Sequence, residues 1–141
     1  MATNPGRTNL NAWWEFNETS GTRYDAHGAF DMTDVNTVGY TGSGKKGNAT
    51  DFVAASSEAL TRTDEAGLNF TGNWTISGWF NGHTIQNGGT VRFLTKYKAS
   101  PNTDREFLIQ AGSDAKPLIA VYKSDGTGVS AKWGTALTNN T

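Results

Sequence analysis

Asp51-Phe52-Val53, an Ala/Ser-rich turn, and then Leu68-Asn69-Phe70-Thr71-Gly72-Asn73-Trp74-Thr75-Ile76-Ser77-Gly78-Trp79-Phe80 form the stretch that decides the fold. Trp74, Ile76, Gly78 and Phe80 fall on one face of a period of two, with Thr75, Ser77 and Trp79 on the other, which predicts a strand. Working towards the N-terminus, Leu10, Ala12, Trp14 and Phe16 alternate with Asn11, Trp13 and Glu15, the pattern of a half-buried strand. Trp13 therefore faces away from Trp14, to solvent or to some other covering group. Working towards the C-terminus, Val91 to Tyr97 and Glu106 to Gln110 read as strands separated by a Ser-Pro-Asn loop. Leu118 to Tyr122 follows and ends at Ser124-Asp125-Gly126, from which Val129 to Trp133 returns. Asp-Gly is a strong hairpin signal, because the turn residues must tolerate positive φ. No segment sustains a 3.6-residue apolar period, so helix is expected to be minor.

The chain has 141 residues, the length of one domain, and a domain of that size buries roughly two thirds of its unfolded surface. Only 35% of residues are hydrophobic, but five Trp, seven Phe and four Tyr supply large core units. Twenty Thr, seventeen Gly and thirteen Asn favour strands and tight turns over helices. A formal charge of −1 argues against a nucleic-acid partner, which requires clustered Lys and Arg; Lys45-Lys46 is the one adjacent basic pair and reads as a solvated turn. The absence of cysteine removes thiol chemistry and thiolate metal sites. No apolar run approaches the ~20 residues of a membrane span. Residues 1–8 read as a tail without the apolar core of a signal peptide, and 9–141 as the domain. Asn-x-Thr triplets begin at Asn17, Asn48, Asn69, Asn73 and Asn139, as expected of an Asn/Thr-rich composition.

Two further motifs join the opening stretch: Ala12-Trp13-Trp14-Glu15-Phe16-Asn17-Glu18-Thr19-Ser20-Gly21, then Gly44-Lys45-Lys46-Gly47-Asn48-Ala49-Thr50-Asp51-Phe52, followed in order by the Leu68-Asn69-Phe70-Thr71-Gly72 turn and the Thr75-Ile76-Ser77-Gly78-Trp79 strand. From about Asn9 to Gly128 the chain resembles the laminin-G-like domains of the concanavalin A-like jelly rolls. The resemblance implies an all-β fold, an antiparallel β-sandwich of jelly-roll type, whose usual work is binding. The departure is at the end. Related domains continue into a Trp-His-His-Val-type strand and a final strand beside the first, whereas this sequence ends at Thr138-Asn139-Asn140-Thr141. Truncation, a shortened sandwich and completion by another chain are the three readings. An unclosed sheet exposes an edge that invites strand donation or oligomerisation.

Catalytic motifs are weak. Gly39-Tyr40-Thr41-Gly42-Ser43-Gly44-Lys45 fits the first positions of a phosphate-binding loop, but Lys46 replaces the Ser/Thr that would hold Mg²⁺, and turn-and-strand chemistry follows instead of a helix. The catalytic jelly rolls carry Glu-x-Asp-x-x-Glu on one strand, a pattern absent here. Glu15 and Glu18 would point to opposite faces, and Asp64 and Glu65 are neighbours in a loop. His27 and His83 are the only histidines, too few for a three-His zinc site, and there is no Gly-x-Ser-x-Gly elbow. The expectation is that the protein is not an enzyme.

Two binding readings remain. Tyr24-Asp25-Ala26-His27-Gly28-Ala29-Phe30-Asp31 stands where relatives carry Asp-x-Ser-Gly-Asn-x-Asn, a turn that binds Ca²⁺ in some of them. By that resemblance Asp25, Gly28 and Asp31 are the candidate calcium residues, although His27 and Ala29 replace the usual Ser and Asn. The competing reading is that Asp25 holds a turn through backbone amides. For sugar binding, the usual device is an exposed ring flanked by amides and carboxylates. Trp13, Tyr40, Trp79 and Tyr97 are the aromatics least readily assigned to one core face, with Asn81, His83, Gln86 and Asn87 in the loop after Trp79; core or subunit contact is the competing role for each ring. Together these features lead to the expectation of a non-catalytic, lectin-like recognition or adhesion module. It would bind a glycan or surface protein, calcium-assisted, at an extracellular or virion surface. The alternative is a structural virion component, a capsid decoration or fibre protein, acting as a homo-oligomer or within a larger assembly.

Overall fold

Eight short strands, all paired antiparallel, carry the backbone in a computed structural model that describes residues 8–69, 72–83, 85, 89–96, 106–123 and 125–138. There is no α-helix among the described residues; two three-residue 3₁₀ turns, Ala54–Ser56 and Ala66–Leu68, are the helical elements. The chain divides into two compact units, Met1–Asn69 and Phe70–Thr141.

The first unit is held by two small ladders. β1 (Thr33–Val35) pairs with β4 (Ala59–Thr61), and β2 (Gly39–Thr41) pairs with β3 (Ala49–Asp51). The segment suggestive of a phosphate loop is thus the β2–β3 hairpin, closed by Gly44 N–H donating to Gly47 O at 3.0 Å. Residues 10–16 keep the alternation read from sequence: Leu10, Ala12, Trp14 and Phe16 are half-buried, while Asn11, Trp13 and Glu15 are exposed. They do not form the predicted strand. Only Trp14 pairs, in an isolated bridge with Asp25. Phe16 takes φ 55°, leaving the extended region, so a ladder cannot propagate beyond it.

Strands of three residues bury little apolar surface, and the buried set of this unit is Val38, Arg23 and Asp25. Polar side chains bonded to distant backbone take over the role of an apolar core. The Arg23 guanidinium, fully buried, donates to the carbonyls of Gly21, Val38 (2.9 Å) and Gly39 (3.1 Å), tying β2 to the segment that precedes β1. Asn17 and Asn48 clasp each other: Asn48 N–H donates to Asn17 Oδ1 at 3.0 Å, and Asn48 Nδ2 donates to Asn17 O at 2.9 Å.

The second unit is a four-stranded meander, β5 (Val91–Lys96), β6 (Phe107–Ala111), β7 (Pro117–Tyr122) and β8 (Gly128–Lys132), in that order across the sheet. These bounds lie within one residue of the sequence reading. A bulge between Arg92 and Leu94 shifts the β5–β6 register at Phe93, whose ring packs on the Ile85, Ala111 and Ala115 cluster together with Ala136 and Leu137. Phe107, Leu108 and Ala120 are also buried, and Trp74 lies against Phe107 with ring centroids 5.6 Å apart. Burying a side chain the size of Phe or Leu contributes roughly 1.5–3 kcal/mol.

The β7–β8 connection follows the Asp-Gly signal with a different turn. Gly126 N–H donates to Lys123 O at 2.9 Å and Lys123 N–H to Thr127 O at 2.7 Å, so a turn followed by left-handed Gly126 (φ 80°) closes the hairpin. Among the described residues of this loop only Gly126 has positive φ, and Asp125 anchors the loop by accepting from Thr127 N and Oγ1 at 2.8 and 2.6 Å.

Residues 74–80, predicted as a strand, belong to none of the eight. Trp74 and Ile76 are half-buried and Thr75 and Ser77 exposed, as alternation requires, but both Trp79 and Phe80 are exposed. Phe80 meets Phe93 in a tilted ring contact with centroids 4.6 Å apart and yet remains 60% exposed. Side-chain alternation is a local property, whereas a strand also needs backbone partners that sequence periodicity does not specify.

Candidate functional site

The polar centre of the first unit is the turn from Asp25 to Asp31. Asp25 is 7% exposed, and its carboxylate accepts from the backbone N–H groups of Trp13 (2.8 Å) and His27 (2.9 Å) at Oδ1 and of Phe30 (3.2 Å) at Oδ2. Gly28 lies close to the carboxylate: a Cβ there would sit 3.1 Å from Asp25 Oδ2, tighter than ordinary van der Waals contact. Burial raises the Asp25 pKa, but the hydrogen bonds from Trp13, His27, Phe30 and Gly28 outweigh it and hold the carboxyl below its ordinary value.

Asp31 does not turn its carboxylate towards that of Asp25. Its Oδ1 accepts the Asp25 N–H at 2.8 Å, and its carbonyl accepts from Arg62 Nη1 at 2.8 Å. Arg62 is ion-paired with Glu65 and stacks over the Phe30 ring at 5.1 Å. Among the described residues, no three His, Cys, Asp or Glu side chains gather to hold a metal ion. Calcium takes six to eight oxygen ligands. Three of the four carboxylate oxygens of Asp25 and Asp31 already accept backbone N–H groups. In this arrangement Asp25, Gly28 and Asp31 close a turn.

What the turn positions is Trp13. Its N–H is held by Asp25, its carbonyl accepts from Ala26 N at 2.8 Å, and the neighbouring Trp14 indole donates to Phe30 O at 2.7 Å. The Trp13 backbone is therefore fixed while its side chain remains 44% exposed. The indole Nε1 donates to Glu15 Oε1 at 3.3 Å, and Asn17 Nδ2 donates to Glu15 Oε2 at 3.3 Å. Asn11, Trp13, Glu15 and Asn17 are all exposed, and Glu15 joins the Trp13 indole to Asn17 through its two carboxylate oxygens, forming a polar row that includes the indole. Alternate residues of extended chain lie about 7 Å apart. This row combines a ring with flanking amides and a carboxylate.

The remaining candidates are dispersed. Tyr40 is exposed on β2 of the same unit. Trp79, 79% exposed, lies in the second unit with Asn81 and His83, both also exposed. Tyr97, Gln86 and Asn87 lie outside the described residues. Glu15, Asn11 and Asn17 were not among the expected ligand residues. The alternation in the sequence put Asn11 and Glu15 on the side of Trp13, whereas Asn17 lies beyond Phe16 at positive φ and joins them through its bond to Glu15. The clamp of Trp13 by Asp25 had no sequence signal, because it joins two segments through side-chain-to-backbone bonds. In comparisons with known proteins, the chain matches no family model, no curated protein and no solved structure.

Proposed function

We propose that the chain is a non-catalytic recognition module that binds carbohydrate along the Asn11–Trp13–Glu15–Asn17 row, at an extracellular or virion surface. The observation that carries the reading is the state of Trp13: its backbone is pinned by Asp25 and Ala26, while its ring stands exposed beside a carboxylate and two amides. A sugar offers an apolar C–H face to an aromatic ring and hydroxyls to flanking acceptors and donors, and a pre-positioned platform lowers the entropy lost on binding. Trp79 with Asn81 and His83 offers an exposed ring, an amide and an imidazole on the second unit. The jelly-roll form of the β-sandwich belongs to this proposal too; the antiparallel all-β architecture supports it.

A glycan array probed with the purified protein, with calcium and with EDTA, tests the reading. Binding is expected in both buffers, since the row does not depend on a metal. Trp13→Ala should abolish it while leaving the far-ultraviolet circular dichroism unchanged, and Trp79→Ala should leave it intact. Binding lost in EDTA would assign calcium a role at the Asp25–Asp31 turn. A blank array in both buffers would refute carbohydrate recognition. The second reading, a structural virion component, is favoured by one observation, the exposure of all five residues of edge strand β8.

A further inference from the structure

We infer that β8 is the docking edge for a second copy of this chain, with the two β8 strands pairing antiparallel about a two-fold axis at Ser130. This inference is independent of the carbohydrate reading. β8 ends the sheet order and pairs only with β7 among the described residues. Lys123 N–H donates to Thr127 O and Trp133 N–H to Pro117 O, which sets the phase of the ladder. Antiparallel pairing alternates, so Val129 and Ala131 direct their backbone groups at β7, whereas Gly128, Ser130 and Lys132 direct theirs outward. Among the described residues no backbone group pairs with that outward row.

Exposed edges are ordinarily blunted by proline, bulges or charge. β8 contains no proline, and its register with β7 runs unbroken from Gly128 to Lys132. Its single charge, Lys132, is neutralised by Asp114, with Nζ and Oδ2 2.6 Å apart. The strand is also complementary to itself. With the axis at Ser130, Ser130 faces the second copy's Ser130 and Gly128 faces its Lys132, so each outward N–H and C=O meets a partner and the two lysines stay apart. On the other face Val129 meets the second copy's Ala131. Val129 and Trp133 are 75% and 57% exposed, and they extend the apolar face formed by Ile119 and Val121 on β7. Pairing of two copies continues one apolar face across two sheets.

Sedimentation equilibrium of the full chain tests the inference. The wild type should self-associate to a dimer at or below about 100 μM. Ser130→Pro removes only an outward donor and should raise the dimer dissociation constant at least tenfold with unchanged circular dichroism. Ser130→Glu and Ser130→Lys each set a charge against its own copy and should each be monomeric, whereas an equimolar mixture should recover the dimer. That recovery separates a broken interface from a broken fold. A wild type that stays monomeric through that range, or a dimer indifferent to all three substitutions, overturns the inference.

Discussion

Asp25→Asn should loosen the segment around Trp13 more than any other part of the chain. The substitution keeps one carbonyl oxygen, which can still accept from Trp13 and His27, but places an NH₂ group where Oδ2 accepts from Phe30 at 3.2 Å. Donor then faces donor. Hydrogen bonds to a charged group contribute about 1.5–3 kcal/mol against about 1 kcal/mol for neutral ones, so two weakened bonds and one lost bond sum to about 3–4 kcal/mol. Burial of Asp25 limits rescue by water. A loss of that size is large against the ~5–15 kcal/mol that stabilises a whole domain. Amide hydrogen exchange is the suitable assay, because it reads the Trp13 and His27 amides individually. At 1.4 kcal/mol per decade, protection there should fall by about two to three orders of magnitude, with the β6–β7 ladder unaffected. If protection at both amides changes by less than about threefold, the carboxylate is not the clamp argued here. If EDTA alone reproduces the loss in the wild type, its oxygens serve a metal instead.

Acid should produce the same opening. The folded-state pKa of Asp25 lies below its ordinary value of 3.8, so its stabilisation is complete above that value and is lost as pH falls through the folded value. Exchange at Trp13 and His27, corrected for intrinsic rates, should be flat from neutral pH to about 4, rise below it, and lose this dependence in Asp25→Asn. Arg23→Lys should cost about 3 kcal/mol, seen as a lower urea midpoint, because one ammonium cannot span the Gly21, Val38 and Gly39 carbonyls that the guanidinium reaches. An unchanged midpoint would mean that those carbonyls find water. Gly126→Ala places a side chain at φ 80° and should destabilise the β7–β8 hairpin by about 1 kcal/mol, a few degrees in Tm, without altering a glycan-array profile.

The β class, the four strands of the second unit to within a residue, and the face that each side chain of residues 10–16 presents were all legible in the residue order. These are consequences of period-two patterning, which needs no partner to be read. The residue order also marked Asp25 as a turn residue, Trp13 as a ring facing away from its neighbour, and Asp125-Gly126 as a reversal. Tertiary structure decided the rest. Residues 10–16 and 74–80 carry strand periodicity outside the strand ladders, because ladders require a second backbone in register, and Phe16 at positive φ ends the first run. The bond from Trp13 N–H to the Asp25 carboxylate and those from the Arg23 guanidinium to Val38 and Gly39 span twelve to sixteen residues. A buried charge selects whichever backbone groups the folded chain brings within reach, so the clamp that presents Trp13 existed only once the two segments had met.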